Sequence, residues 1–261
     1  MIEAPNFRNR ICLVTGGTQG VGEATALMMA SAGAEAVAIC GRQQEAGERV
    51  ADKIRALGAK GIFVKADLAR VDECFRVVDT VGDQCGRLDV LANVAGVTDR
   101  GTIDDTSVET YERLFAVNTR APFFLIQRAL PLLRKGTGST VVNVITIAAH
   151  GGAPFIAAYV ASKSALVGLT RNLAHALRHD RIRVNGLNMG WTATPGEERT
   201  QRTAHGHGDD WQEEIGRTRP FGRLLKPEEV ARAICFLASS ESALMTGSIV
   251  DFDQTVMGAY D

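Results

Sequence analysis

Tyr159 and Lys163 stand four residues apart in a stretch with helical spacing, so they share one face of a helix. A free phenol titrates near pH ~10. An ammonium group beside it favours the phenolate and lowers that value. The phenol then serves as a general acid or base close to neutral pH. Pairs with this spacing also arise by chance as surface contacts. The pair therefore takes its meaning from the other residues that accompany it.

A second chemical device lies near the start of the chain, in Thr15-Gly16-Gly17-Thr18-Gln19-Gly20-Val21-Gly22. Glycines let a backbone pass close to a phosphate, and a helix N-terminus supplies free N–H groups and positive potential. Tight strand–helix turns need glycine anyway. This turn follows the first strand of an alternating pattern, which is the context that favours phosphate binding. Gly16, Thr18, Gln19, Gly20, Val21 and Gly22 are the residues expected around a diphosphate. After the second strand come Gly41 and Arg42, where dinucleotide folds carry an acid for the ribose 2′-hydroxyl. A guanidinium there matches a 2′-phosphate instead. NADP(H) is thus the expected cofactor, with NAD(H) the alternative if Arg42 merely flanks a strand. Asp67, followed by Leu68, could accept from the adenine amino group or serve the start of the next helix.

These residues need a scaffold, and the hydrophobic pattern supplies one. Ile11–Thr15, Ala36–Cys40, Gly61–Lys65, Asp89–Ala92 and Val141–Ile145 are short and apolar at nearly every position. Strands buried on both faces have this character. Between them run helical stretches: one from about Gly20, then Gln43–Leu57 with Val50, Ile54 and Leu57, and Val71–Cys85 with Cys74, Val78 and Val81. Thr119–Leu133 and Tyr159–His179 continue as long helices, and Ile182–Leu187 and Ser248–Asp253 as strands. Pro227 opens another helix, with Glu228 and Glu229 at its positive end. Strand and helix in alternation imply parallel strands joined by right-handed crossovers. The expected fold is α/β: a single doubly wound Rossmann-type domain over residues 1–261, with a parallel sheet of about seven strands and helices on both faces. Gly196–Arg219 breaks the rhythm with a polar run that includes Glu197, Glu198, Asp209 and Asp210. It is expected to form a lid or insertion over about 190–220, or else a solvated loop.

Composition narrows the function classes. The 261 residues are 45% hydrophobic and 23% charged, an ordinary globular balance, with a net charge of -1. Nothing there favours nucleic acid or an anionic membrane as partner. No apolar run is long enough to span a bilayer. Met1 to Arg10 lacks the apolar stretch of a signal peptide, so a cytoplasmic location is expected. Five cysteines without a C-x-x-C pair argue against a disulfide framework or zinc site, and no metal is expected.

The ordered set of motifs carries a resemblance. Thr15–Gly22 fits T-G-x-x-x-G-x-G; Asn93-Val94-Ala95-Gly96 fits N-x-A-G after the fourth strand; Asn118 follows; Tyr159-Val160-Ala161-Ser162-Lys163 fits Y-x-x-S-K. Val184-Asn185, the loop through Gly190 and Thr194, Pro227–Ala231 and Thr246-Gly247 complete the series. From about Asn9 to Asp253 the chain resembles the short-chain dehydrogenases/reductases. That resemblance implies Tyr159 as catalytic acid/base and Lys163 as the residue that lowers its pKa and holds the nicotinamide ribose. Asn118 would anchor a water in the proton relay. Asn93, Ala95 and Gly96 would line the adenine-side ribose and the sheet edge, and Gly190, Thr192 and Thr194 would approach the nicotinamide amide or the diphosphate. The family also implies a homotetramer, with the Thr119–Leu133 and Tyr159–His179 helices as contacts.

Three departures stand out. Thirteen positions before the tyrosine the family has a serine to hold the substrate oxygen; here Thr146 stands there. Threonine keeps the hydroxyl donor, while its methyl narrows the site and stiffens the rotamer. Met189 precedes Gly190 where the family has proline, and Asp253-Gln254-Thr255 replaces D-G-G. The expected reaction is hydride transfer between the nicotinamide and a small carbonyl or alcohol, such as a ketone, polyol or sugar. His150, Phe155 and Trp191 are the expected substrate walls, with Gly151, Met189 and the segment to Trp211 beside them. A non-catalytic dinucleotide-binding sensor or assembly protein is the rival from another class. Epimerase or dehydratase chemistry on a nucleotide-sugar would need a larger substrate domain than this chain has room for.

Overall fold

The computed structural model describes residues 6–258. Seven parallel strands form one sheet: β1 (Ile11–Thr15), β2 (Ala36–Gly41), β3 (Lys60–Lys65), β4 (Val90–Asn93), β5 (Thr140–Val144), β6 (Arg183–Met189) and β7 (Ile249–Phe252). Their order is β3-β2-β1-β4-β5-β6-β7. Every residue of β1, β4 and β5 is buried, as the unbroken apolar runs predict for strands covered on both faces.

Two apolar layers cover the sheet. One face takes α1 (Gly20–Ser31), α2 (Gln44–Ala56) and α9 (Pro227–Ala238), through Met29, Ile54 and Ile234 among others. The other takes α3 (Val71–Cys85), α5 (Ala121–Leu133) and α6 (Ala157–Leu177), through Val77, Leu125 and Leu177. The chain moves outward from β1 to β2 and β3, then returns to place β4 on the other side of β1. That reversal lies at a cleft at the carboxyl ends of the strands, where such sheets bind ligands.

Two segments differ from expectation. The chain between β4 and β5 carries a further helix, α4 (Val108–Phe115), capped by the Ser107 hydroxyl, which accepts from the Thr110 N–H. It runs through a π-helical turn at Ala116–Arg120 into α5, so Asn118 sits within a continuous helical path. The polar run expected as a lid, insertion or solvated loop is helical, folding into α7 (Pro195–His205) and α8 (Trp211–Arg217). Local chemistry accounts for α7. The Thr194 hydroxyl accepts from the Glu197 N–H at 3.1 Å, and Pro195 occupies the first turn. Glu197 and Glu198 complement the positive end, and Gly206 closes the helix at φ +69. Trp211 is buried with Ile215 and Leu224, against Trp191 and Ala193, so α8 has a small core of its own. Among the described residues, no helix is long and apolar enough to cross a membrane.

Candidate active site

The carboxyl ends of the strands open into a cleft of about 850 Å³. Its inner end is the glycine turn. The Thr15 hydroxyl accepts from the N–H groups of Val94 (3.0 Å) and Ala95 (3.1 Å), tying the end of β1 to the loop after β4. Close packing follows. A Cβ on Gly16, at φ +68, would lie 2.8 Å from the Ala95 Cα, and one on Gly22 would lie 2.2 Å from the Gly16 carbonyl oxygen. The glycines thus let the first turn of α1 settle onto the loop that precedes it. Gln19 gives the N-terminus of α1 no side-chain cap; its Oε1 accepts instead from Arg199 of α7 at 3.3 Å. Uncapped N–H groups therefore face the cleft, the arrangement that suits an anion.

Thr18, Arg42, Asp67 and Leu68 line the same end. Arg42 is exposed and makes no ion pair among the described residues. Asp67 accepts from the Ala69 N–H at 3.1 Å, so one carboxylate oxygen shapes the turn into α3. Ala95, Gly96, Gly190, Thr192 and Thr194 line the middle of the cleft. The Thr192 hydroxyl donates to the Gly190 carbonyl at 2.9 Å. Gly190 has no room for a side chain, since a Cβ would strike Asp253.

Tyr159, Lys163 and Thr146 meet on one wall of this cleft. Tyr159 and Lys163 lie on α6, and Thr146 caps the short 3₁₀ turn after β5, its Oγ accepting from the Ala148 N–H at 3.3 Å. That bond uses a lone pair and leaves the hydroxyl hydrogen free to donate. Burial pushes the Tyr159 phenol up to about 12; the Thr146 hydroxyl draws it partly back, Glu197 adds to the rise and Arg100 opposes it. Burial pushes the Lys163 amine down to about 8. Its Nζ donates to the Val144 carbonyl at 2.8 Å. Both shifts share one cause: taking a side chain out of water disfavours its charged form. The lowering of the phenol expected from a nearby ammonium is not found: burial dominates, and the phenol rises.

Three expected site residues stand away from the cleft surface. Asn93 donates its side-chain amide to Asn143 at 2.9 Å, and Asn143 donates to Thr170 at 2.9 Å, a buried brace between β4, β5 and α6. Asn118 is fully buried behind the wall. Its Oδ1 accepts from the Val97 N–H at 2.9 Å, and its Nδ2 donates to the Val97 carbonyl at 2.9 Å and to the Ser162 hydroxyl at 3.0 Å. His150 turns away, with its Nε2 3.0 Å from the Asp251 carboxylate on β7. Phe155 and Trp191 do line the cleft.

The structure gives site roles to residues that the sequence did not mark as site residues. Ser162 accepts from Asn118 and donates to the Tyr159 carbonyl at 2.8 Å, joining the two elements that carry the site. Arg100 enters from the loop after β4 and Glu197 from α7, with Nη2 to Oε1 at 3.5 Å. His205 accepts from Arg100 Nε at 3.1 Å. Gln254, in place of a glycine, fixes the end of the chain: its Oε1 accepts from the Phe221 N–H at 2.8 Å and its Nε2 donates to the Arg223 carbonyl at 2.7 Å.

Comparison with known proteins places this geometry. A family model described as enoyl-(acyl carrier protein) reductase matches residues 16–255. An uncharacterized oxidoreductase of Thermotoga maritima is 36% identical over 248 residues, spanning 95% of this chain and 97% of that protein. Cyclohexanol dehydrogenase of an Acinetobacter species is 31% identical over 260 residues, covering 99% and 98%. The NADPH-bound structure of a short chain oxidoreductase from Pseudomonas aeruginosa PAO1, described as containing an atypical catalytic center, superimposes with a TM-score of 0.88 at 28% identity, covering 97% of this chain and 100% of that one.

Proposed function

We propose a mechanism from one premise: this chain belongs to the short-chain dehydrogenase/reductase family and is an oxidoreductase of alcohol and carbonyl groups. The proposed reaction is hydride transfer between NADP(H) and a small carbonyl or alcohol, with Tyr159 as the acid/base. One observation carries it. Tyr159, Thr146 and Lys163 occupy a wall of the same cleft that ends in the glycine turn and Arg42.

The residues present fit a nicotinamide dinucleotide. Gly16 and Gly22 keep the turn compact, and a Cβ on Gly96 would come within 3.3 Å of Lys163 Nζ and 3.4 Å of Asn118 Oδ1. Gly20, Val21 and Gly22 at the start of α1 would hold the diphosphate, with Thr194 across from Gly20. Arg42 would pair with a 2′-phosphate, the reason for preferring NADP(H) over NAD(H). The NADPH in the Pseudomonas relative's structure agrees with that choice. When bound, the nicotinamide supplies or accepts the hydride.

The protein's own groups manage the proton. Thr146 donates its free hydroxyl hydrogen to the substrate oxygen, replacing the family serine with the same donor. Tyr159, kept protonated by burial, gives its proton to that oxygen in reduction; in oxidation it first passes its proton out along the relay and, as phenolate, takes the proton of the substrate hydroxyl. Lys163 has one hydrogen committed to Val144, which fixes its head and leaves two for a ribose hydroxyl and the relay. Asn118 has both amide hydrogens committed, so it braces α6 through Ser162. A relay water would take its second Oδ1 lone pair or its main-chain oxygen. Because Thr146 keeps a donor beside Tyr159, the catalytic proposal is preferred to a non-catalytic sensor.

The homotetramer is likewise a proposal from family membership, through α5 and α6, with Phe123 of α5 leaving an exposed ring. To test the function, NADPH and NADH are titrated by nicotinamide fluorescence, followed by a screen of alcohols and ketones with the cofactor that binds. Binding of neither cofactor at millimolar concentration contradicts it.

A further inference from the structure

We propose that Glu197 is a substrate-specificity residue: its free carboxylate oxygen selects substrates that carry a hydroxyl group besides the reacting oxygen. This rests on the hydride-transfer proposal and names the substrate class for that site.

Glu197 is the third residue of α7 and is held in the cleft wall with its side chain 15% exposed. Its Oε1 is heavily used. Trp191 Nε1 donates to it at 2.9 Å, Gln201 Nε2 at 2.6 Å, and Arg100 Nη2 lies 3.5 Å away. Oε2 takes no donor among the described residues and is not sealed from solvent. A carboxylate fixed through one oxygen thus presents the other as an acceptor. Its charge also reaches the reacting hydroxyl, because it adds to the rise in the Tyr159 pKa. Glu197 and Tyr159 also line the same cleft.

The charges around it select the kind of donor. Arg100 already supplies a cation at Glu197, and a substrate ammonium there would face its repulsion. A substrate carboxylate would meet Glu197 itself. A neutral hydroxyl satisfies Oε2 with neither penalty. It gains a hydrogen bond to a charged acceptor, the stronger kind. A plain ketone that displaces water from Oε2 leaves that acceptor unsatisfied.

The test uses the wild type and Glu197→Gln. Glutamine keeps a carbonyl oxygen for Trp191, Gln201 and Arg100, but turns an NH₂ donor toward the cleft. Reduction by NADPH is compared on matched pairs, butanone against acetoin and cyclohexanone against its α-hydroxy derivative. The expected result is a wild-type kcat/KM about tenfold or more higher for the hydroxylated member, and a fall in that ratio of about tenfold in Glu197→Gln. Binding is followed separately by Trp191 fluorescence in the NADPH complex, because the indole N–H is bonded to Glu197. Acetoin should perturb that signal in the wild type and not in the variant. Equal turnover of both members by the wild type, or an unchanged ratio in Glu197→Gln, overturns the inference and leaves hydride transfer standing. Turnover of no carbonyl at all, with no cofactor bound, overturns the hydride-transfer proposal and this inference with it.

Discussion

Lys163 Nζ donates to the main-chain carbonyl of Val144 at 2.8 Å, so the ammonium is anchored to the end of β5, two residues before Thr146. That bond fixes the lysine head relative to both hydroxyls of the site. The ammonium is buried there, with Val144 its one acceptor among the described residues, and burial lowers its pKa to about 8.

Tyr159→Phe removes the only phenol on that wall among the described residues, with little change in volume. We expect kcat to fall about 10³-fold, the scale of general acid–base catalysis. NADPH affinity should stay within about threefold, since no cofactor contact proposed here depends on the phenol alone. Steady-state kinetics and fluorescence titration on the same preparation check both halves.

The two directions of the reaction should respond oppositely to pH. With its pKa pushed up to about 12, Tyr159 keeps its proton through the neutral range, as reduction requires. Reduction should therefore be level below pH 8 and decline as Lys163 loses its proton above about 8. Oxidation needs the phenol to give up its proton and should climb as the medium becomes alkaline. Identical optima in both directions would count against this assignment.

Lys163 should also make stability depend on pH. Its folded pKa lies below the usual 10.5, so between about 8 and 10.5 the unfolded chain binds the extra proton. Lys163 should contribute a gain of about 3 kcal/mol across that window, opposed above pH ~9 by the buried thiols of Cys12, Cys40 and Cys235, whose raised folded values cost stability as pH rises. Lys163→Met removes that contribution. Urea unfolding of both proteins at pH 7 and pH ~10.5 measures the difference, and parallel curves would refute the shift.

Most of the strand layout was legible in the sequence because buried parallel strands have no polar face to break the apolar run. Val71–Cys85 coincides with α3 residue for residue. Helix α4 went unseen because of its residues only Leu114 is buried, leaving little periodicity to detect. Its cap, Ser107 before Glu109, was the available signal. Thr194-Pro195 and Gly206 likewise bracket α7, but the polar composition between them hid the helix. Within the site, the motifs marked Tyr159 and Gly16, which line the cleft, and also Asn93 and Asn118, which lie behind its wall because a motif fixes sequence spacing and not exposure. His150 was misplaced because nearness in sequence to Thr146 says nothing about the 3₁₀ turn that swings it toward Asp251. Arg100 and Glu197 approach each other across nearly a hundred residues of chain, a distance that no local pattern bridges.

Gly22→Ala tests the cradle. The new methyl would be driven against the Gly16 carbonyl oxygen, which belongs to the turn itself. Overpacking of this kind costs about 1–3 kcal/mol. Thermal denaturation should show a Tm lower by roughly 2–4 °C per kcal/mol, and NADPH binding should weaken as the turn shifts.

Arg42→Ala addresses cofactor choice. Losing one charge-assisted contact should weaken NADPH binding by about tenfold or more and leave NADH nearly unchanged. An equal effect on both cofactors would remove Arg42 from the 2′-phosphate.

The central claim is that one cleft binds the nicotinamide cofactor and uses Tyr159 to move the proton. A single-turnover experiment reaches it most directly. Wild type and Tyr159→Phe are loaded with NADPH, mixed with a ketone from the screen, and followed by nicotinamide fluorescence. The prediction is equal loading of both proteins, with rapid loss of the signal in the wild type and persistence in the variant. Loss of the signal at wild-type rate in Tyr159→Phe would contradict it.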